Sequence, residues 1–161
     1  MSGVSLAVLL VAIISNGLLA GLYGAFAIGI CPALRYADDN TVVTVFRMAN
    51  RQIVNPLFLA VFFGAPASAV AAVVVIPRTG LGESTLPWAV AGAAGAVASL
   101  LITMFGNVPL NDRLERAEIC TREALATARR AFERPWSRWN MVRAVASTGA
   151  SIGLAVDLTA L

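Results

Sequence analysis

The sequence contains no histidine and no lysine, and it has only two cysteines among 161 residues. Histidine is the commonest metal ligand in proteins and the usual general base near neutral pH, so its absence removes the most frequent basis for both roles. Cys31 and Cys120 lie far apart and in no metal-binding spacing, which predicts two free thiols. A metalloenzyme or haem protein is therefore the least favoured class, and we expect no metal and no cofactor.

Charged residues are also scarce, at 13% of the chain against 58% hydrophobic residues, and the mean hydropathy is +0.78. Soluble domains carry about a quarter charged residues. A soluble domain of this size could not bury so much apolar surface, so we expect lipid to be the main solvent. The net charge of +3 does not indicate nucleic-acid binding, because the basic residues, all arginines, lie between apolar runs rather than in a stripe.

Four apolar runs predict an all-α fold, a bundle of four transmembrane helices in one integral membrane domain that covers residues 1–161. The predicted spans are about 4–30, 57–76, 86–105 and 139–158, since a hydrocarbon core of about 30 Å requires roughly 20 apolar residues. The fourth run is the shortest, with only 13 uncharged residues between Arg143 and Asp157. Arg143 is therefore expected to snorkel or to face the bundle interior.

Glycine pairs at Gly17 and Gly21 and at Gly149 and Gly153 have the small-xxx-small spacing that lets helices pack closely. Neighbouring spans are the expected partners of these faces, and a second copy of the chain is the alternative, which leaves a homo-oligomer open.

The segment 112–134 between spans three and four is polar and has apolar residues at helical spacing, which predicts an amphipathic cytoplasmic helix of about six turns. The arginines give the orientation, because cytoplasmic loops carry an excess of basic residues. Loops one and three hold Arg35, Arg47, Arg51 and the run from Arg113 to Arg138, whereas the opposite side has Arg78 alone. We therefore expect a multi-pass protein of a bacterial inner (plasma) membrane, with both termini outside.

Polar side chains gather at the predicted cytoplasmic ends of the spans. Guanidinium and amide groups can hold a carbonyl or phenolate oxygen and stabilise an enolate, and tryptophan faces suit an aromatic ligand. The candidate catalytic residues are Arg51, Asn107, Asn111, Asn140 and Arg143. The candidate substrate-binding residues are Asn16, Tyr23, Arg47, Asn55, Trp136 and Trp139.

Each candidate also has a purely structural interpretation. Arginines at these positions are typical topology determinants, and the two tryptophans are typical of an interfacial belt. Asn16 is placed to bond across helices, and Asn107 and Asn111 are placed to cap one helix and begin the next. The convergence of amides and arginines at one depth is what favours a polar site.

Two elements together resemble a known family: Asn107-Val108-Pro109-Leu110-Asn111 and, about 25 residues later, Trp136-x2-Trp139-Asn140-x2-Arg143. They look like the anthrone-oxygenase-like family of small four-helix membrane proteins, and the resemblance extends over essentially the whole chain. It implies oxidation of an anthrone to an anthraquinone by O2 in polyketide pathways. Other polycyclic or phenolic substrates stay open.

The resemblance also implies roles for the candidate residues. Arg143 and Arg51 would stabilise a phenolate, and the three asparagines Asn107, Asn111 and Asn140 would orient the oxygen. The base is left open between Asp112, Tyr23 and a water molecule held by asparagines.

Two functions are carried forward. The first is a membrane-embedded, cofactor-independent oxygenase whose partners are the lipid bilayer and a small hydrophobic aromatic substrate; it predicts O2 uptake that chelators do not affect. The second is a non-enzymatic membrane protein that binds or passes a small hydrophobic molecule or scaffolds partners through 112–134. It predicts ligand binding without turnover.

Overall fold

The computed structural model describes residues 3–75 and 86–159, and these residues fold into helices joined by short connections. The helices are α1 (Gly3–Leu34), α2 (Asp39–Ile53), α3 (Pro56–Val75), α4 (Leu86–Arg116) and α5 (Arg122–Thr159). α1 contains a π-helical turn at Phe26–Ile30, and α4 contains one at Thr103–Asn107. The protein is all-helical over the described ranges.

Three helices, α1, α3 and α4, are long and apolar enough to cross a membrane. Only 28% to 33% of their most apolar segments is buried against the rest of the protein. The remaining apolar side chains, such as Ile14, Leu57 and Phe105, point outward and are 58%, 76% and 78% exposed. Exposing so much apolar surface to water would be unfavourable, whereas lipid solvates it, so the chain is a membrane protein.

The fourth predicted span, 139–158, forms the second half of α5, which packs along α4 and α1. That this half of α5 crosses the bilayer stays a prediction. The predicted end of span two at Ile76 lies outside the described residues, as does Arg78.

Small residues set the close approach of α5 to α4. A Cβ atom added to Gly95 would lie 2.9 Å from the Ala146 carbonyl oxygen, and one added to Gly153 would lie 2.9 Å from the Trp88 carbonyl oxygen. Such distances leave no room for a side chain, so the helix backbones are in direct contact. Of the glycine pairs noted in the sequence, Gly17 and Gly153 approach neighbouring helices, whereas Gly21 and Gly149 face open space.

The region between spans one and two, called loop one above, contains a full helix, α2. Asp38 caps it by accepting a hydrogen bond from the Thr41 amide at 3.0 Å. Its apolar face buries Val42, Val43 and Phe46 against the ends of α1, α4 and α5. This face brings α2 over one end of the bundle, where it covers the candidate site.

The segment 112–134 differs from the single amphipathic helix expected there. Its first residues end α4, residues 117–121 are not helical, and its remainder begins α5, which continues to Thr159. The break is stabilised by Arg47, whose guanidinium donates to the carbonyl oxygens of Leu114 at 2.8 Å and Ala117 at 2.6 Å. The Leu114 carbonyl also accepts from the Ala117 amide at 3.3 Å, and Arg47 supplies further donors where the regular helical bonds end.

Candidate functional site

A cavity of about 420 Å³ lies where α1, α2, α3, α4 and α5 meet. Its volume falls within the range of pockets that enclose small aromatic ligands. Most of its wall is apolar and aromatic, with Leu22, Phe26, Phe46, Phe58, Leu59, Phe62, Phe63, Met104, Val108 and Trp136 among the lining residues. The polar lining residues are Tyr23, Asn50, Arg51, Thr103, Asn111, Asp112, Glu115 and Arg143.

Arg143 brings a cation to the buried end of this cavity. The residue is 8% exposed, and its Nε and Nη2 atoms donate to the Asn140 Oδ1 at 3.2 and 2.9 Å. Its guanidinium carbon lies 4.0 Å from the centroid of the Tyr23 ring and 5.4 Å from that of Trp136. Among residues 3–75 and 86–159 it forms no ion pair with a carboxylate.

Tyr23 lies beneath this guanidinium and is 2% exposed. Its hydroxyl has no hydrogen-bond partner in the part of the chain that the structure describes. The Thr103 hydroxyl, which donates to the Ser99 carbonyl oxygen at 2.8 Å, lies nearby and keeps acceptor capacity toward the Tyr23 hydroxyl. A buried hydroxyl without a partner is costly, so this one is available to a bound oxygen.

Asn140 joins α5 to α1 at this point. It is fully buried, its Oδ1 accepts from Arg143, and its Nδ2 donates to the Tyr23 carbonyl oxygen at 2.9 Å. Asn140 does not itself line the cavity. Its geometry therefore fixes the position of the guanidinium relative to the tyrosine ring.

The two π-helical turns border the cavity. Phe26 from the turn in α1 and Thr103 and Met104 from the turn in α4 are lining residues. A π-helical turn widens the helix and re-aims its side chains, and such turns are frequent at functional sites. Here they aim an aromatic, a hydroxyl and a thioether into the same space.

Asn107 and Asn111 both form hydrogen bonds with Trp136. The Trp136 Nε1 donates to the Asn111 Oδ1 at 2.8 Å, and the Asn107 Nδ2 donates to the Trp136 carbonyl oxygen at 3.2 Å. The Phe46 ring packs against the indole edge-on, with the ring centroids 4.9 Å apart. Asn111 lines the cavity directly, whereas Asn107 acts through Trp136.

Acidic residues lie at the exposed end of the cavity. Glu115 accepts from the Arg51 Nε at 3.0 Å, and the Arg51 side chain is 66% exposed. Asp112 also lines the cavity but has no ion-pair partner among the described residues. Glu115 was not among the sequence candidates, although Val108, Asp112 and Glu115 share one helix face and this periodicity could have found it.

Four sequence candidates lie away from the cavity. Arg47 caps the end of α4, and Asn55 accepts from the Phe58 amide at 2.9 Å at the start of α3. Asn16 is buried between α1 and α3, where its amide donates to the carbonyls of Ala12 and Ala65. Trp139 is 44% exposed and packs over Gly106 on the outer face.

The fold and the cavity together define a small all-helical membrane protein with a buried arginine beside an aromatic pocket. The model of the anthrone oxygenase family matches residues 42–153, which is most of the chain. The chain belongs to this anthrone oxygenase family. Searches of curated proteins and of solved structures find no match.

Proposed function

We propose that this protein is a membrane-embedded, cofactor-independent oxygenase that uses O2 to oxidise an anthrone-like or other polycyclic phenolic substrate. The observation that carries this proposal is Arg143, a buried cation that faces an apolar cavity and has no carboxylate partner among the described residues. A buried charge is costly unless an opposite charge compensates it. A substrate phenolate would supply that charge.

The proposal includes the membrane arrangement. The second half of α5 is the fourth span, because it packs between α1 and α4 over its length and presents outward-facing apolar residues such as Val142, Val145 and Ile152. The arginine-rich end of the bundle faces the cytoplasm, in accord with the excess of basic residues on that side. The cavity then lies at the cytoplasmic end of a bundle of four transmembrane helices.

The chemistry requires a base and a site for an anion. An anthrone has a carbonyl and a methylene group on opposite sides of its central ring. Removal of one methylene proton gives an aromatic phenolate, which is electron-rich enough to reduce O2 directly. Addition of O2 at the former methylene carbon gives a hydroperoxide, and loss of water from it gives the quinone carbonyl. One oxygen atom enters the product, and the other leaves as water.

The described residues fit these tasks in a defined order along the cavity. Arg143 and the Tyr23 hydroxyl would hold the phenolate oxygen at the buried end, where preorganised donors stabilise developing charge most strongly. The Trp136 indole, against which Phe46 packs edge-on, would form an aromatic wall against the rings. Asp112, at the exposed end and without an ion-pair partner in the described ranges, would take the methylene proton.

A second function is favoured by the apolar lining itself. A cavity with this many phenylalanines would also hold a small hydrophobic molecule without converting it. In that case the protein is a binding or transfer protein, and Arg143 only orients the ligand. Both functions predict the same class of bound ligand, but only the oxygenase converts it.

The test uses the full chain purified in detergent. Co-purified small molecules are identified by mass spectrometry, and O2 consumption is followed with a panel of anthrones, with and without chelator. The reaction is repeated with ¹⁸O2 to follow the label. The expected result is chelator-insensitive uptake, with one labelled atom in the quinone carbonyl.

Two other results would change the conclusion. Uptake that disappears with chelator and returns with added metal would refute the cofactor-independent mechanism. A tightly bound ligand with no O2 uptake across the panel would favour the binding protein over the oxygenase.

A further inference from the structure

A second, basic groove lies outside the candidate active site. It runs between the end of α1 and the first half of α5 and has a volume of about 870 Å³. Whereas the lining of the aromatic cavity is mostly apolar, five arginines line this groove, namely Arg35, Arg129, Arg130, Arg134 and Arg138. The oxygenase mechanism uses none of these residues.

The two carboxylates in the groove are already neutralised. Arg129 donates to the Asp39 carboxylate at 2.9 Å and to the Glu133 carboxylate at 2.7 Å. The same guanidinium donates to the Ala37 carbonyl oxygen, so it is fully engaged in holding α1, α2 and α5 together. Five arginines against two carboxylates leave the groove with a net charge of +3.

The other four arginines are available to a ligand. Within the described residues, Arg130 donates only to the neutral Thr127 hydroxyl, at 3.2 Å. Arg35, Arg134 and Arg138 form no ion pair within the described residues. Four unpaired guanidinium groups around one groove are the chemistry that binds a phosphate, through several charge-assisted hydrogen bonds.

The groove continues into surface that we have assigned to lipid. On α5 the exposed residues Arg134, Arg138, Met141 and Val145 form one stripe at helical spacing, basic at one end and apolar at the other. Across the groove, Ala27 within α1 and Arg35 just after its last residue follow the same order, apolar first and basic at the end of the bundle. A headgroup with a phosphate and attached acyl chains matches both stripes, whereas a soluble phosphate would match only the basic ends.

From this polarity and charge we propose that the groove binds the phosphate headgroup of an anionic phospholipid, with the acyl chains along Met141 and Val145. The proposal rests on the fourth span proposed above but not on the oxygenase activity. Basic pockets between helices at a membrane surface are suited to this role, because each arginine adds to the attraction of anionic lipid.

The experiment compares two lipids with identical acyl chains. The full chain is delipidated in neutral detergent and titrated with dioleoyl phosphatidylglycerol or dioleoyl phosphatidylcholine, and binding is measured by native mass spectrometry. The wild-type protein is expected to bind phosphatidylglycerol at least about tenfold more tightly. The double variant Arg134→Gln/Arg138→Gln is expected to bind it about thirty-fold more weakly than wild type, from the usual contribution of each arginine near a membrane surface.

The matched control is Arg113→Gln/Arg116→Gln, which removes the same charge from exposed arginines at the end of α4. It should leave phosphatidylglycerol binding unchanged, and thermal unfolding should show that both double variants are folded. Equal loss in the control, or no preference for phosphatidylglycerol in wild type, would overturn the proposal. Displacement of phosphatidylglycerol by equimolar inorganic phosphate would also overturn it, in favour of a soluble ligand.

Discussion

Replacement of Arg143 by methionine is expected to separate the proposed catalysis from folding. The substitution removes two hydrogen bonds to Asn140 and the cation–π contact with Tyr23 at 4.0 Å. Hydrogen bonds to a charged group contribute about 1.5–3 kcal/mol each and a desolvated cation–π contact about 2 kcal/mol. The substitution also removes a buried cation whose desolvation costs several kcal/mol. These contributions offset one another, so the variant is expected to fold with nearly unchanged stability.

The effect on turnover should be much larger. Loss of one preorganised donor to a developing anion typically reduces kcat by about 10²–10³-fold, equivalent to about 2.7–4 kcal/mol. The assay is O2 uptake with an anthrone that the wild type oxidises, and thermal unfolding in the same detergent reports folding. Arg122→Met, at the exposed start of α5, is the matched control and should retain full activity. A folded Arg143→Met protein with wild-type turnover would refute the proposed phenolate site.

Three further predictions concern the base, the helix contact and a helix cap. Asp112→Asn should reduce kcat about a hundredfold or more if the Asp112 carboxylate takes the methylene proton. Glu115→Gln should retain most activity in the same O2 assay, because the Glu115 carboxylate is held by Arg51. Equal effects of the two substitutions would argue against Asp112 as the base. Gly95→Ala should destabilise the protein by about 1–3 kcal/mol because its Cβ would lie 2.9 Å from a backbone carbonyl of α5. Gly149→Ala, which faces open space, should be neutral or stabilising in thermal unfolding. Hydrogen bonds from the hydroxyl and the amide of Thr41 lower the pKa of the Asp38 carboxyl. The Asp38 cap therefore stabilises α2 fully at pH values above the ordinary aspartate pKa of about 3.9. That stabilisation is lost as the pH falls through the lower pKa of the folded state. Amide exchange in α2 should therefore differ between wild type and Asp38→Ala at pH 6 and converge at the lowest accessible pH.

The helical class and the membrane solvent followed from composition and run length alone. Three of the four predicted spans lie in helices that are long and apolar enough to cross a bilayer. The resemblance carried by Asn107–Asn111 and Trp136–Arg143 is confirmed by the family match over residues 42–153. These features are local, because every segment of about 20 apolar residues must satisfy its backbone by forming a helix in lipid.

The polar candidates were harder to sort from the sequence. Arg47 and Arg51 lie one turn apart on α2, yet Arg47 caps the end of α4 and Arg51 reaches the exposed end of the cavity. Asn16 and Asn140 are both fully buried, but only Asn140 contacts Arg143. In the sequence, an asparagine that bonds across helices looks the same as one that also positions a buried arginine, so only their contacts distinguish them.

By itself, the sequence determined the all-helical class, the membrane environment and the family, because hydrophobic runs and short motifs act through nearest neighbours along the chain. Only the tertiary structure decided that α2 covers the cavity, that Asp112 and Glu115 lie at its exposed end and that Tyr23 lies under Arg143. Several contacts that form the site join residues far apart in sequence, such as the hydrogen bond from Asn140 to the carbonyl of Tyr23 across 117 positions. Such contacts depend on how α1, α4 and α5 pack against one another, and that geometry is a property of the assembled bundle.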